Sequence, residues 1–137
     1  MTATAALYLD TPAILRALLE SGTTPEIEHK IATATVLLTS RLSQVEAARA
    51  LLRIRALHSV SEAKLADAKR DINALWRRCD IWELSPSVCR LAAEVAPGQR
   101  LRILDALHLA TYALARERIP GLELLTADER LREAATE

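Results

Sequence analysis

The chain has 137 residues, 50% of them hydrophobic and 26% charged, and its 18 basic and 18 acidic residues cancel to a formal net charge of zero. That composition excludes an intrinsically disordered chain, and the zero balance excludes a protein that grips nucleic acid through bulk positive charge. The length predicts a single domain over residues 1–137; with no Phe, and only Tyr8, Trp76, Trp82 and Tyr112 as aromatics, its core is expected to be Leu, Ala, Ile and Val.

In chain order, the apolar run Leu7 to Leu9 reads as a buried strand that gives way at Asp10-Thr11-Pro12 to a helix start. Pro12 suits a first helical position, because it lacks only an N–H that would be unpaired there. The helix should run through Ile14, Leu15, Leu18 and Leu19 and stop near Ser21-Gly22, with a second helical stretch after Pro25 through Ile27 and Ile31. Thr35 to Thr39 is the next strand. Ser43-Gln-Val-Glu46 has the Ser-x-x-Glu pattern of a capping box and is expected to open a helix through Ala47, Leu51, Leu52 and Ile54. Ser59-Val-Ser-Glu62 repeats that pattern ahead of a long amphipathic helix through Leu65, Ala68, Ile72, Leu75 and Trp76.

Asp80 to Leu84 is a third strand, and Ser85-Pro86 begins a helix expected to last until Pro97-Gly98. A further helix passes through Leu104, Leu107, His108, Thr111, Tyr112 and Leu114 until Pro120-Gly121. Leu122 to Thr126 is the fourth strand, followed by a third capping box, Thr126-Ala-Asp-Glu129. Strands separated by helices predict βαβ units, hence a three-layer α/β/α fold around a parallel sheet of about four strands. Cys79 and Cys89 have no second pair at metal-binding spacing, and no basic stretch followed by an apolar core opens the chain, so a reduced, cytoplasmic protein is expected. No apolar run approaches the ~20 residues needed to cross a bilayer, so no membrane is expected.

Four acids carry the functional expectation: Asp10, Glu46, Asp105 and Asp128, each where an apolar stretch meets a helix. An unpaired carboxylate is expensive to bury in such surroundings. In an open parallel sheet the post-strand segments gather beyond the carboxyl ends of the strands, so these acids can converge. Like charges at ~4 Å in an effective dielectric of ~20 repel by about 4 kcal/mol per pair, so either some stay protonated or a cation neutralises them. All-oxygen donors favour Mg²⁺ or Mn²⁺, and such a metal typically supports hydrolysis of a phosphodiester. Each acid also has a structural alternative. Glu46 closes a capping-box pattern, Asp128 could stabilise a helix dipole, and Asp10 could simply precede a helix. Asp105, in a helix otherwise given to Leu and Ala, has the poorest structural excuse. His108 reads as a core or orienting histidine rather than a catalytic base.

The series LYLDTPAILRALLE, SQVEAARALLR, LDALHLATYAL and LLTADERLREAA resembles that of the PIN domain, most closely of VapC-like toxins, from Leu7 to about Ala135. The third block is the most specific. The resemblance implies a Mg²⁺- or Mn²⁺-dependent endoribonuclease of a type II toxin–antitoxin system, dimeric and inhibited by a VapB-like antitoxin. By that similarity Asp10, Asp105 and Asp128 hold the metal directly or through waters, and Glu46 completes the shell and positions the attacking water. Thr11 matches the small polar residue after the first Asp, and Thr126 the hydroxyl that shapes the fourth-acid loop. Two departures stand out: Pro12 where the family usually has Ser, and an end at Glu137 where many relatives add a short fifth strand.

RNA would be held locally, by Arg41, Arg49, Arg53 and Arg55 around Glu46 and by Arg100 and Arg102 before Asp105; all are equally compatible with solvated helix faces. The Ala-rich helices near residues 13–20 and 47–57 are candidate dimer and antitoxin surfaces, although core packing explains much of the same pattern. One rival is a catalytically inactive PIN-like module that binds protein or RNA. Another, a phosphatase of the haloacid-dehalogenase type, needs a second Asp where this chain has Pro12.

Overall fold

The computed structural model describes residues 5–20 and 22–136. Among the described residues four strands, β1 (Ala6–Leu9), β2 (Val36–Ser40), β3 (Cys79–Trp82) and β4 (Glu123–Leu125), alternate with seven helices. These are α1 (Thr11–Leu18), α2 (Pro25–Thr33), α3 (Arg41–Ala56), α4 (Glu62–Arg78), α5 (Pro86–Ala92), α6 (Ile103–Arg118) and α7 (Glu129–Ala134). The strands form one parallel sheet in the order β3-β2-β1-β4, with Leu7 opposite Leu37 and Glu123, and Leu9 opposite Leu125.

The two-residue period of the strands sorts the core into two layers. Leu7, Leu9 and Leu37 face one side, where they pack with Ala13, Ile14 and Ala17 of α1, Ile27 and Ile31 of α2 and Leu75 of α4. Tyr8 and Leu38 face the other side and meet Leu109, Tyr112 and Ala115 of α6 and Leu131 of α7. A smaller cluster, Leu51 with Leu65, Ala68 and Ile72, joins α3 to α4. The result is the expected three-layer α/β/α arrangement. Among the described residues, no helix is long and apolar enough to cross a membrane.

The helix starts differ from the capping pattern in the sequence. Helix α3 begins at Arg41 and is capped by Ser40, whose hydroxyl accepts from the Leu42 N–H. Ser43 therefore lies inside the helix, where its hydroxyl bonds Thr39 Oγ1 at 2.7 Å, and Glu46 closes no capping box. Ser61 rather than Ser59 caps α4, accepting from Lys64 N. Ser59 instead completes the end of α3: His58 takes a left-handed φ of 52°, and the N–H groups of His58 and Ser59 turn back to Arg55 O and Ile54 O. Before α7 the cap is Asp128, not Thr126. Ser85 does cap α5, but that helix ends at Ala92, short of Pro97-Gly98, and β3 starts at Cys79 and ends at Trp82 rather than running to Leu84.

Candidate active site

The chain runs from β1 to β2 to β3 in one direction across the sheet and then crosses to place β4 on the far side of β1. The order reverses between β1 and β4, and a parallel sheet opens a crevice at such a point, beyond the strand carboxyl ends. Asp10 stands at that point. It leaves β1 and caps α1, with Oδ1 accepting from Ala13 N at 2.9 Å and Oδ2 accepting from the hydroxyl of Thr126, the residue that follows β4. Its side chain is fully buried. Burial pushes the Asp10 carboxyl up to about 6, although the Thr126 hydroxyl, the Ala13 N–H and nearby His108 pull it down; Asp128 adds to the rise.

Thr126 joins two acids. Its hydroxyl donates to Asp10 and accepts from Asp128 N at 2.9 Å, while Asp128 Oδ1 caps α7 through Arg130 N. On the other side of Asp10, Thr11 donates to Glu46 Oε1 at 2.7 Å. His108 Nε2 meets the same oxygen at 2.8 Å, and His108 Nδ1 lies 2.9 Å from the Tyr8 hydroxyl. Burial works to raise the Glu46 carboxyl, but the hydrogen bonds from His108 and Thr11 prevail and leave it below the usual carboxylate range. Two neighbouring carboxyls thus have opposite tendencies, one pressed toward neutrality and one held ionised. Divergent acids of this kind mark functional sites more than structural ones.

Asp105 lies in the first turn of α6, half-buried and one turn before His108, so the two share a helix face. Its side chain makes no hydrogen bond or ion pair among the described residues. A cleft of about 440 Å³ opens beside Thr11 and Glu46, walled by Pro12, Leu15, Leu42, Val45 and Leu104, with Arg49 and Arg53 along its α3 side.

Comparison with known proteins decides the family. Residues 7–137 match the PIN domain. The chain is 36% identical to ribonuclease VapC49 of Mycobacterium tuberculosis over 98 residues, covering 72% of this chain and 67% of that protein. With ribonuclease VapC35 of the same organism it shares 32% identity over 131 residues, 94% of this chain and 89% of the relative. The chain is a VapC-like PIN domain. Solved structures repeat the fold. PAE2754 from Pyrobaculum aerophilum aligns with a TM-score of 0.62 at 23% identity, covering 95% of this chain and 79% of that one. A toxin–antitoxin complex from Klebsiella pneumoniae gives 0.61 at 22% identity, with 90% and 87% covered.

In this PIN domain the four expected acids do not stand alike. Asp10 and Asp128 are tied to one hydroxyl, and Glu46 is linked to them through Thr11, the residue after Asp10. Asp105, in the first turn of α6, has no side-chain hydrogen bond that links it to them among the described residues. Among the described residues, no group of three or more His, Cys, Asp and Glu side chains is placed to hold a metal ion. Arg49, Arg53, Arg100 and Arg102 are exposed and carry no ion pair among the described residues, whereas Arg41 forms a fork on Glu83 and Arg55 pairs with Glu62. Residue-type reasoning missed Tyr8, whose position in a strand of Leu signals only core. The one available signal was alternation: Tyr8 points away from Leu7 and Leu9, toward the helix that carries His108.

Proposed function

We propose that this VapC-like PIN domain is a Mg²⁺- or Mn²⁺-dependent endoribonuclease that hydrolyses RNA phosphodiester bonds, acting as the toxin of a VapBC-like pair. The observation that carries the reading is Asp10: a fully buried carboxyl at the switch point of the sheet, next to Asp128, that forms no ion pair among the described residues. The names of its relatives, ribonucleases VapC49 and VapC35, support it. The donor chemistry also fits a hard divalent cation. Asp10 uses two of its roughly four lone-pair sites, and Glu46 Oε2 and Asp128 Oδ2 accept no hydrogen bond among the described residues. The fit lies in the donors rather than in a preassembled cage.

Asp10, Glu46, Asp105 and Asp128 would hold the ion, directly or through waters. Once bound, it supplies Lewis-acid polarisation of a phosphate oxygen and an activated water. The chain does the positioning. Thr126 and Ala13 fix both Asp10 oxygens, and Glu46, kept ionised, accepts a hydrogen bond from the attacking water and aligns it. Arg49 and Arg53, four residues apart on one helix face with Glu46, hold phosphates that flank the scissile one. Leu15, Val45 and Leu104 give those nucleotides an apolar wall. The same reading makes the protein cytoplasmic, a homodimer, a single domain and the target of a VapB-like antitoxin.

The test is cleavage of a single-stranded RNA pool by purified protein. Wild type should cut with Mg²⁺ or Mn²⁺, stop with EDTA and resume on adding Mn²⁺. Asp10→Asn should lose at least about a hundredfold in rate, as expected when a metal-holding or charge-stabilising group is removed. An Asp10→Asn protein as active as wild type would reject the mechanism. A wild type that binds RNA without cutting it would leave the binding-module alternative.

A further inference from the structure

Behind Glu46 stands a hydrogen-bond chain that the proposed chemistry does not itself touch. Glu46 Oε1 meets both the Thr11 hydroxyl and His108 Nε2, and a carboxylate oxygen only accepts. Thr11 has one hydroxyl proton and gives it to Oε1 at 2.7 Å. His108 Nε2, 2.8 Å from that same oxygen, must therefore carry a proton too. With Nε2 assigned, the other ring nitrogen is set by its own partner. Nδ1 lies 2.9 Å from the hydroxyl of Tyr8, which is fully buried and, as a phenol, has one proton to donate. The two rings meet edge to face, 6.0 Å between centroids at 71°.

The Tyr8 hydroxyl holds Nδ1 while Glu46 and Thr11 hold Nε2, so the imidazole is fixed from both ends. Without the Tyr8 bond, only the Nε2 side opposes a half-turn that exchanges Nδ1 with Cδ2 and Nε2 with Cε1. Glu46 Oε1 would then face a C–H in place of a donor, at no packing cost. We propose that Tyr8 and His108 are positioning residues: Tyr8 holds the ring so that His108 Nε2–H and Thr11 together anchor Glu46 Oε1, and Oε2 is presented to the cleft. The inference rests on the reading of Glu46 as part of the active site. It makes a residue of the first strand, buried beneath the cleft, a determinant of the reaction.

The experiment combines a double-mutant cycle with spectroscopy of the metal-free protein. In ¹⁵N-imidazole spectra, the signal absent from His108→Gln should show Nε2 protonated in wild type; a bare Nε2 with Nδ1 protonated overturns the proposal. Tyr8→Phe keeps the ring volume, so it should fold. It should lower kcat on a single-stranded RNA and affinity for Mn²⁺ alone by about tenfold each, the usual scale for a group that supports a metal ligand, with KM for RNA unchanged. In His108→Gln the side-chain amide replaces the Nε2–H donor, so most activity should return. Adding Tyr8→Phe to that background should change nothing further. Equal losses from Tyr8→Phe in both backgrounds would reduce Tyr8 to packing and overturn the inference. If wild type cuts no RNA, the ribonuclease reading falls by itself, while the imidazole spectra still decide the orientation of His108.

Discussion

Asp10 sits in surroundings that oppose its charge, and the consequence for stability has a definite sign. Its folded-state carboxyl is raised from the ordinary value of 3.8 to about 6, so protons bind the folded chain more tightly than the unfolded one. The stabilisation this group offers is therefore complete below the unfolded value and is lost as pH rises through the folded one. At neutral pH the ionised carboxylate destabilises the metal-free protein by roughly 2–3 kcal/mol. Asn keeps the acceptor for Ala13 N and carries no charge. In EDTA, Asp10→Asn should thus melt several degrees above wild type at pH 7 and level with it at pH 4, by calorimetry. A gap independent of pH would remove the charge from the explanation. Added Mn²⁺ should stabilise wild type and not the variant, because only the ionised carboxylate gains from the ion.

At the scale of elements, the ends of helices carry the information that a residue pattern cannot. In the Ser/Thr-x-x-Glu series that begin at Ser43, Ser59 and Thr126 the first residue does not act as the cap, because each has another engagement. Ser43 bonds Thr39, Ser59 closes the preceding helix and Thr126 holds Asp10. Chemical denaturation separates the roles: Ser61→Ala should cost about 1 kcal/mol and Ser59→Ala well under half of that. His58 occupies, with φ of 52°, the left-handed seat at the end of α3 that glycine takes without strain. His58→Gly should therefore stabilise the protein by about 0.5–1 kcal/mol, read as a higher denaturation midpoint.

For the whole molecule, zero net charge means that RNA affinity depends on where charge sits rather than on how much there is. The described arginines divide accordingly. Arg41 and Arg55 are spent on Glu83 and Glu62, while Arg49 and Arg53 remain uncommitted on the cleft wall beside Glu46. Arg53→Glu should weaken RNA binding at least about tenfold and flatten its dependence on salt, since a lost phosphate contact reduces the number of counterions released. Arg41→Glu should do much less. Fluorescence anisotropy against salt concentration checks both, and equal effects would mean that the cleft is not the RNA path.

Strand and helix order and the parallel sheet were legible in the residues themselves, because apolar runs of strand length alternate with helical periodicity. Asp10 also stood out without coordinates: an acid directly after Leu7-Tyr8-Leu9 has little else to explain it. What the sequence could not express is how hydroxyls and ring nitrogens are shared between distant segments. Glu46 lies where a capping box would put it, and only tertiary packing shows that Thr11 and His108, from α1 and α6, converge on its Oε1. Likewise, Thr126 bridges Asp10 and Asp128 only because β4 crosses to the far side of β1. Local pattern determines which elements form, since it acts through neighbours along the chain. Which donor meets which acid is decided by the crossover, which acts through neighbours in space.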